Sequence, residues 1–274
     1  MTIPPPIVDL DWVITRRRTL VLCDVRWYLD GRSGQAAYAA GHLPGAVFVD
    51  LDRWLAAAPS PAAGRHPLPA PDVFAAGMRN AGIDDHTLVV AYDDAGGATA
   101  ARLVWMLRAS GGPAALLDGG LGAWTAPLSR VRPVVTPGTF VLTSWPGELL
   151  ADADDVAAAR SDDRVVVDAR APDRFHGIVE PVDPRAGHIP GAVNVPFAGN
   201  LDAATGRFLG RRDLRRRFAR AGVDDHADTI VYCGSGVTAC HTLLAMERAG
   251  LPAARLYPGS WSQWSADPTR PVEV

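Results

Sequence analysis

The chain has 274 residues, 48% of them apolar and 21% charged, with a formal net charge of -3. This is the composition of a globular protein with room for about two domains, and no excess of basic charge favours nucleic acid or an anionic membrane. It contains no lysine, so all 27 basic residues are arginine, which excludes Schiff-base chemistry, pyridoxal-phosphate anchoring and the Walker A phosphate loop.

The N-terminal stretch Met1-Thr-Ile-Pro-Pro-Pro6 shows no basic region followed by an apolar run, and no apolar stretch approaches the ~20 residues that span a bilayer. Cys23, Cys233 and Cys240 are odd in number and far apart, which does not make a disulfide framework and suits a reducing compartment. A cytoplasmic protein is the expectation.

Taken in order, apolar runs that read as strands alternate with helical periodicity. The first half predicts strands over 20–23, 47–49, 88–92 and 115–117, and helices over 73–81 and 99–109. The second half predicts strands over 165–167, 192–195, 229–232 and 255–257. Such alternation implies an α/β fold, with parallel sheets covered by helices on both faces. Proline and glycine in 130–146 mark a linker, giving expected domains of 1–129 and 147–274.

The halves repeat each other. Ala40-Gly-His-Leu-Pro-Gly-Ala-Val47 recurs as Ala186-Gly-His-Ile-Pro-Gly-Ala-Val193, with seven of eight residues identical. Cys23-Asp-Val-Arg26 is echoed by Val167-Asp-Ala-Arg170, and Ala81-Gly-Ile-Asp-Asp-His86 by Ala221-Gly-Val-Asp-Asp-His226. Gly119-Gly-Leu-Gly-Ala-Trp124 answers Gly259-Ser-Trp-Ser-Gln-Trp264. Four blocks in the same order define a tandem duplication. His42 and His188 lie in a Gly/Pro turn present in both copies, and read as structural.

The duplication singles out one loop. Aligned without gaps, Asp93-Asp-Ala-Gly-Gly-Ala-Thr99 stands against Cys233-Gly-Ser-Gly-Val-Thr-Ala239, so only the second copy carries a thiol. Cys233 follows the run Thr229-Ile-Val-Tyr232 and precedes small residues and a helical pattern, which would surround its sulfur with backbone amides and a helix N-terminus. The alternative for Cys233, a small buried hydrophobe at a strand end, suits Cys23 and Cys240 better. The sixth position after Cys233 is Ala239, so the arginine clamp of a Cys-x5-Arg phosphatase loop is absent, as is any Cys-x-x-Cys spacing. A thiolate that carries sulfur as an anionic persulfide fits what remains.

Two tandem units, paired Gly-His-Leu/Ile-Pro-Gly elements and one C-terminal cysteine loop resemble the rhodanese sulfurtransferases over essentially the whole chain. Within that family, Cys233-Gly-Ser-Gly-Val-Thr-Ala239 is similar to the loop of the 3-mercaptopyruvate sulfurtransferases. Members preferring thiosulfate usually carry Arg and Lys where this chain has Gly234 and Ser235. The resemblance implies a polar relay of Ser235, His66 and Asp52 beside the nucleophile. It also implies amides of Gly234, Gly236, Val237 and Thr238 around the sulfur, and Arg174 on the donor carboxylate. A second arginine usually sits in a Glu-Pro-Arg context. Here the chain reads Glu180-Pro-Val-Asp-Pro-Arg185, which offers Arg185 as a displaced substitute. The implied activity is sulfur transfer from 3-mercaptopyruvate through a Cys233 persulfide to a thiol, such as a thioredoxin-like protein, or to cyanide. No metal or organic cofactor is implied, and a monomer is expected. A thiosulfate:cyanide sulfurtransferase and a non-enzymatic persulfide carrier are the alternatives.

Overall fold

A computed structural model of the protein describes residues 3–159 and 164–274. Contacts divide the chain into two units: 1–57 with 69–145 and 205–207, and 58–68 with 146–204 and 208–274.

The first unit contains β1 (Ile7–Val8), α1 (Leu10–Arg16), β2 (Leu20–Asp24), α2 (Gly34–Ala40), β3 (Val47–Phe48), α3 (Pro71–Asn80), β4 (Leu88–Tyr92), α4 (Ala100–Ala109) and β5 (Ala114–Leu117). Its strands form one all-parallel sheet in the order β1-β5-β4-β2-β3. β4 is central, which explains why Leu88-Val-Val-Ala-Tyr92 is almost continuously apolar: both faces and both edges are covered. Val8, Leu22, Val90 and Tyr92 share one core cluster.

The second unit contains α5 (Ala153–Ala158), β6 (Val165–Asp168), α6 (Pro172–Phe175), β7 (Val193–Asn194), α7 (Arg211–Ala219), β8 (Thr229–Tyr232), α8 (Val237–Ala249), β9 (Arg255–Leu256) and α9 (Ser260–Trp264). Its parallel sheet has the order β7-β6-β8-β9, and an isolated bridge from Leu150 to Leu256 stands where the first unit has β1. Ile230, Tyr232, Phe175, Ile189 and Trp261 form its core. Gly250 ends α8 in the left-handed region (φ 72°), a conformation that favours glycine.

The repeated blocks have one structural job in each unit. Arg26 binds Asp24 and the Gly41 carbonyl, while Arg170 binds Asp168 and the Gly187 carbonyl, each a buried ion pair that ties a strand end to the Gly-His turn. His42 accepts a place stacked on Tyr38 with Nδ1 2.9 Å from the Tyr38 carbonyl; His188 stacks on Phe175 with Nδ1 2.9 Å from the Phe175 carbonyl. The hydroxyls of Tyr92 and Tyr232 accept the amides of Leu43 and Ile189. These histidines are packing elements, as their duplication suggests.

Residues 130–146 have no helix or strand, but Phe140 is buried and both Phe140 and Trp145 pack on Phe74, and the stretch as far as Trp145 groups with the first unit. Residues 58–68, by contrast, group with the second unit. Among the described residues, no helix is long and apolar enough to cross a membrane.

Candidate active site

β8 is fully buried and paired on both edges, so its C-terminal end delivers Cys233 to the middle of the sheet edge, the usual ligand position of a parallel α/β sheet. The Cys233 amide donates to Ser260 Oγ (3.2 Å), and the Cys233 carbonyl accepts from Trp261 N (3.0 Å). Ser260 holds this place at φ 53°, the one positive φ of a non-glycine residue among those described. The backbone then turns at Gly236 (φ 77°), whose N–H donates to Cys233 Sγ at 3.1 Å. A Cβ at Gly236 would lie 2.6 Å from the Pro258 carbonyl, so both conformation and space require glycine. Val237 and Thr238 begin α8, where backbone N–H groups lack intrahelical acceptors and the helix dipole favours negative charge.

His66 and Ser235 are both buried, with His66 Nδ1 2.8 Å from Ser235 Oγ. The segment 58–68 that carries His66 is fixed within the second unit. Arg65 N donates to Ser262 Oγ (3.0 Å), and Gln263 Nε2 donates to the Ala62 carbonyl (2.6 Å). Asp52 lies in the first unit on the helical turn Leu51–Leu55, where it accepts from Trp27 Nε1 at 2.8 Å.

Two guanidinium groups overhang Gly234, the residue after Cys233. A Cβ on Gly234 would stand 3.1 Å from Arg65 Nη2 and 3.4 Å from Arg174 Nη1. Arg174 is brought there by the single helical turn α6, which starts on Pro172, and it donates to Glu180 Oε1 (2.7 Å) and Asp183 Oδ2 (3.0 Å). Arg65 also donates to Asp183. Burial pushes the Asp183 carboxyl up, more than Arg65 and Arg174 pull it down, and the charge of Glu180 adds to the rise.

Arg185 is placed among backbone carbonyls. Its guanidinium is spread over the carbonyls of Ser265 (2.8 Å), Arg270 (2.8 Å), Trp264 (2.9 Å) and Asp267 (2.5 Å), fastening the C-terminal segment. The arginine that does accompany Arg174 is Arg65, which the sequence reading missed. Its signal was adjacency to His66 in Gly64-Arg65-His66, but nothing in spacing pairs it with a loop more than 160 residues away.

The matching loop of the first unit explains itself chemically. Asp93 Oδ1 accepts the amides of Ala95 and Gly97 (both 2.8 Å), and Oδ2 those of Thr99 and Ala100 (both 2.9 Å). A side-chain anion thus fills the amide nest that the second unit offers to sulfur. The other cysteines sit differently: burial, helped by Asp24, pushes the Cys23 thiol far up, and Cys240 donates to the Gly236 carbonyl. Among the described residues, no group of three or more His, Cys, Asp or Glu side chains is arranged to hold a metal.

Two parallel α/β units, each with the same Asp-Arg, Gly-His and tyrosine pegs and one with a cysteine in an amide nest, match the rhodanese-like domain over 10–127 and again over 152–267. The chain belongs to the rhodanese family of sulfurtransferases, with two tandem copies of the domain. It is 44% identical over 263 residues to a probable 3-mercaptopyruvate sulfurtransferase of Pseudomonas aeruginosa, covering 92% of each chain. It is also 44% identical over 256 residues to the putative thiosulfate sulfurtransferase SseB of Mycobacterium tuberculosis, covering 92% of this chain and 89% of that one. Among solved structures it matches SseA of Escherichia coli, one of the 3-mercaptopyruvate sulfotransferases, with a TM-score of 0.82 at 32% identity, covering 94% of this chain and all of that one.

Proposed function

We propose that the protein moves sulfur from 3-mercaptopyruvate to a thiol acceptor through a persulfide on Cys233. The observation that carries this reading is the pair Arg65 and Arg174 over Gly234, one residue from the nucleophile, where a planar carboxylate and keto oxygen suit guanidinium forks.

Cys233 thiolate attacks the donor sulfur, the carbon–sulfur bond breaks, and its electron pair leaves on pyruvate as the enolate. The sulfur-bound proton of the new persulfide and the proton needed by the enolate are exchanged through Ser235, whose hydroxyl is tied to the His66 imidazole. The anionic persulfide then rests in the amides of the loop 234–238, of which Gly236 N–H already bonds Sγ. An acceptor thiolate attacks the outer sulfur and returns Cys233 as a thiolate, giving ping-pong kinetics. A dithiol of the thioredoxin type, which can release the transferred sulfur as hydrosulfide by forming its own disulfide, is the proposed acceptor class. Within this reading Asp52 is bonded to Trp27 inside the first unit, and Arg185 shapes the second unit without touching donor.

Thiosulfate is the second reading, favoured by the equal identity to a relative named for that donor. Steady-state rates with both donors, together with intact-mass detection of one added sulfur on Cys233, decide the matter. A higher kcat/KM for thiosulfate would overturn the mercaptopyruvate assignment, and no added sulfur would overturn the persulfide.

A further inference from the structure

Asp183 occupies the place where the proposed donor carboxylate belongs. It bridges Arg65 and Arg174, its side chain is only 3% exposed, and both guanidinium groups stand over Gly234 beside the nucleophile. Glu180 takes the remaining face of Arg174 and also reaches Arg170, which is itself paired with Asp168. Two carboxylates therefore answer the two guanidinium groups, and an incoming donor would meet a site whose charge is already balanced. Yet Asp183 does not satisfy Arg65 fully, because its buried Nε has no hydrogen-bond partner.

The segment presenting Asp183 is built to be displaced more easily than a core element. It is a turn wound on Glu180, whose Oε1 accepts the amides of Val182 and Asp183 (both 3.1 Å). Pro181 and Pro184 stiffen it, and it has little apolar anchorage: Ile178 is 75% exposed, with Val179 and Val182 also exposed. An open cavity of about 300 Å³ lies against it, lined by Pro61, Arg65, Val182, Asp183 and Ser262.

We propose that Asp183 is a specificity-determining residue, an internal anion that an anionic donor must displace from Arg65 and Arg174 before it can reach Cys233. This inference rests on the reading of those arginines as the donor-carboxylate site. It makes apparent donor affinity the intrinsic affinity reduced by the fraction of molecules with Asp183 withdrawn. Charged groups facing Asp183 are Arg65 from 58–68, Arg174 from α6 and Glu180 from its own turn. Since burial raises its pKa, protonation on acidification neutralises it within this setting and loosens its hold on the arginines.

The test compares wild type with Asp183→Asn, which keeps the shape, and Asp183→Ala. The first readout is the ratio of Cys233 alkylation rates by iodoacetate and iodoacetamide, located by peptide mass spectrometry. These reagents differ only in carboxylate against neutral amide, so thiolate reactivity cancels. The ratio should rise about five- to tenfold in both variants at pH about 8, and acidification should move the wild-type ratio toward theirs. The second readout is kinetic: KM for 3-mercaptopyruvate should fall by a similar factor with kcat nearly unchanged. An alkylation ratio that stays level or falls in both variants overturns the proposal, because Asp183 would then be holding the arginines in place for the donor. A raised ratio in variants that, like wild type, never turn over 3-mercaptopyruvate supports the gate and overturns the donor.

Discussion

His66 Nδ1 meets Ser235 Oγ at 2.8 Å across 169 positions of sequence, and both side chains are buried in the second unit. Ser235 stands two residues along the chain from Cys233, the proposed nucleophile, and the pair is the proposed proton relay. If it exchanges the protons of the donor half-reaction, Ser235→Ala and His66→Ala should each lower kcat by roughly 100-fold with KM changed little. Persulfide formation by mercaptopyruvate, followed in rapid-quench intact-mass experiments, should slow by the same factor. Wild-type rates in His66→Ala would remove the relay and favour a carrier that needs no proton transfer.

Asp93 is the counterpart of Cys233 in the first unit, and its carboxylate accepts four amides and the Thr99 hydroxyl. Removing that acceptor leaves buried donors unsatisfied, so Asp93→Ala should cost about 3 kcal/mol of stability in urea or guanidinium unfolding. Asp93→Cys should restore neither the stability nor a second persulfide site, because a single sulfur cannot span both arms of the carboxylate network. Two added sulfurs per chain after donor treatment would contradict this.

Much of this was legible in the sequence, for a physical reason. The parallel sheets could be read because β4, β6 and β8 are buried on both faces and so carry uninterrupted apolar runs. The two-residue β1 and the four-residue α6 leave no periodicity to detect, and they appear only through their pairing and packing. Cys233 stood out because the duplicated loop supplied an internal control. Arg65 and Asp183 could not stand out in this way. Each lies in a proline-rich connection whose role depends on which side chains the fold brings over Gly234. The displacement of arginine from Glu-Pro-Arg to Arg185 was visible, but its consequence was not, since Arg185 had four backbone carbonyls to bind.

Gly234 and Gly236 should respond differently to the same substitution. At Gly236 a methyl group would meet the Pro258 carbonyl at 2.6 Å, and φ is 77°. Gly236→Ala should therefore destabilise the fold by roughly 1–3 kcal/mol and weaken the amide bond to sulfur, lowering kcat. At Gly234 the new methyl group would touch only the ends of Arg65 and Arg174, at 3.1 and 3.4 Å. Gly234→Ala should leave the melting temperature nearly unchanged and raise donor KM. A Gly234→Ala variant with an unaltered KM would detach these arginines from donor binding.

Arg174 and Arg185 offer the sharpest contrast, because both were candidates for one role and the fold gives them different partners. Arg185 holds four carbonyls at the C-terminal end of the second unit, and Trp261 Nε1 donates back to the Arg185 carbonyl at 3.0 Å. Truncating it leaves those acceptors without their donor, so Arg185→Ala should lose about 3 kcal/mol of stability. Its kcat/KM per folded molecule, corrected by active-site titration of Cys233, should stay near that of wild type. Arg174 is bound to the carboxylates of Glu180 and Asp183 rather than to the backbone frame, and it stands over the loop that follows Cys233. Arg174→Ala leaves the buried Glu180 and Asp183 carboxylates with one cation fewer, so it should also lower stability. Unlike Arg185→Ala, it should raise donor KM by roughly tenfold or more per folded molecule, and Arg174→Lys should recover only part of that because an ammonium cannot present the planar fork. Rates and unfolding curves measured on the same preparations separate the two residues. Loss of activity in Arg185→Ala at full folding would return it to the donor site.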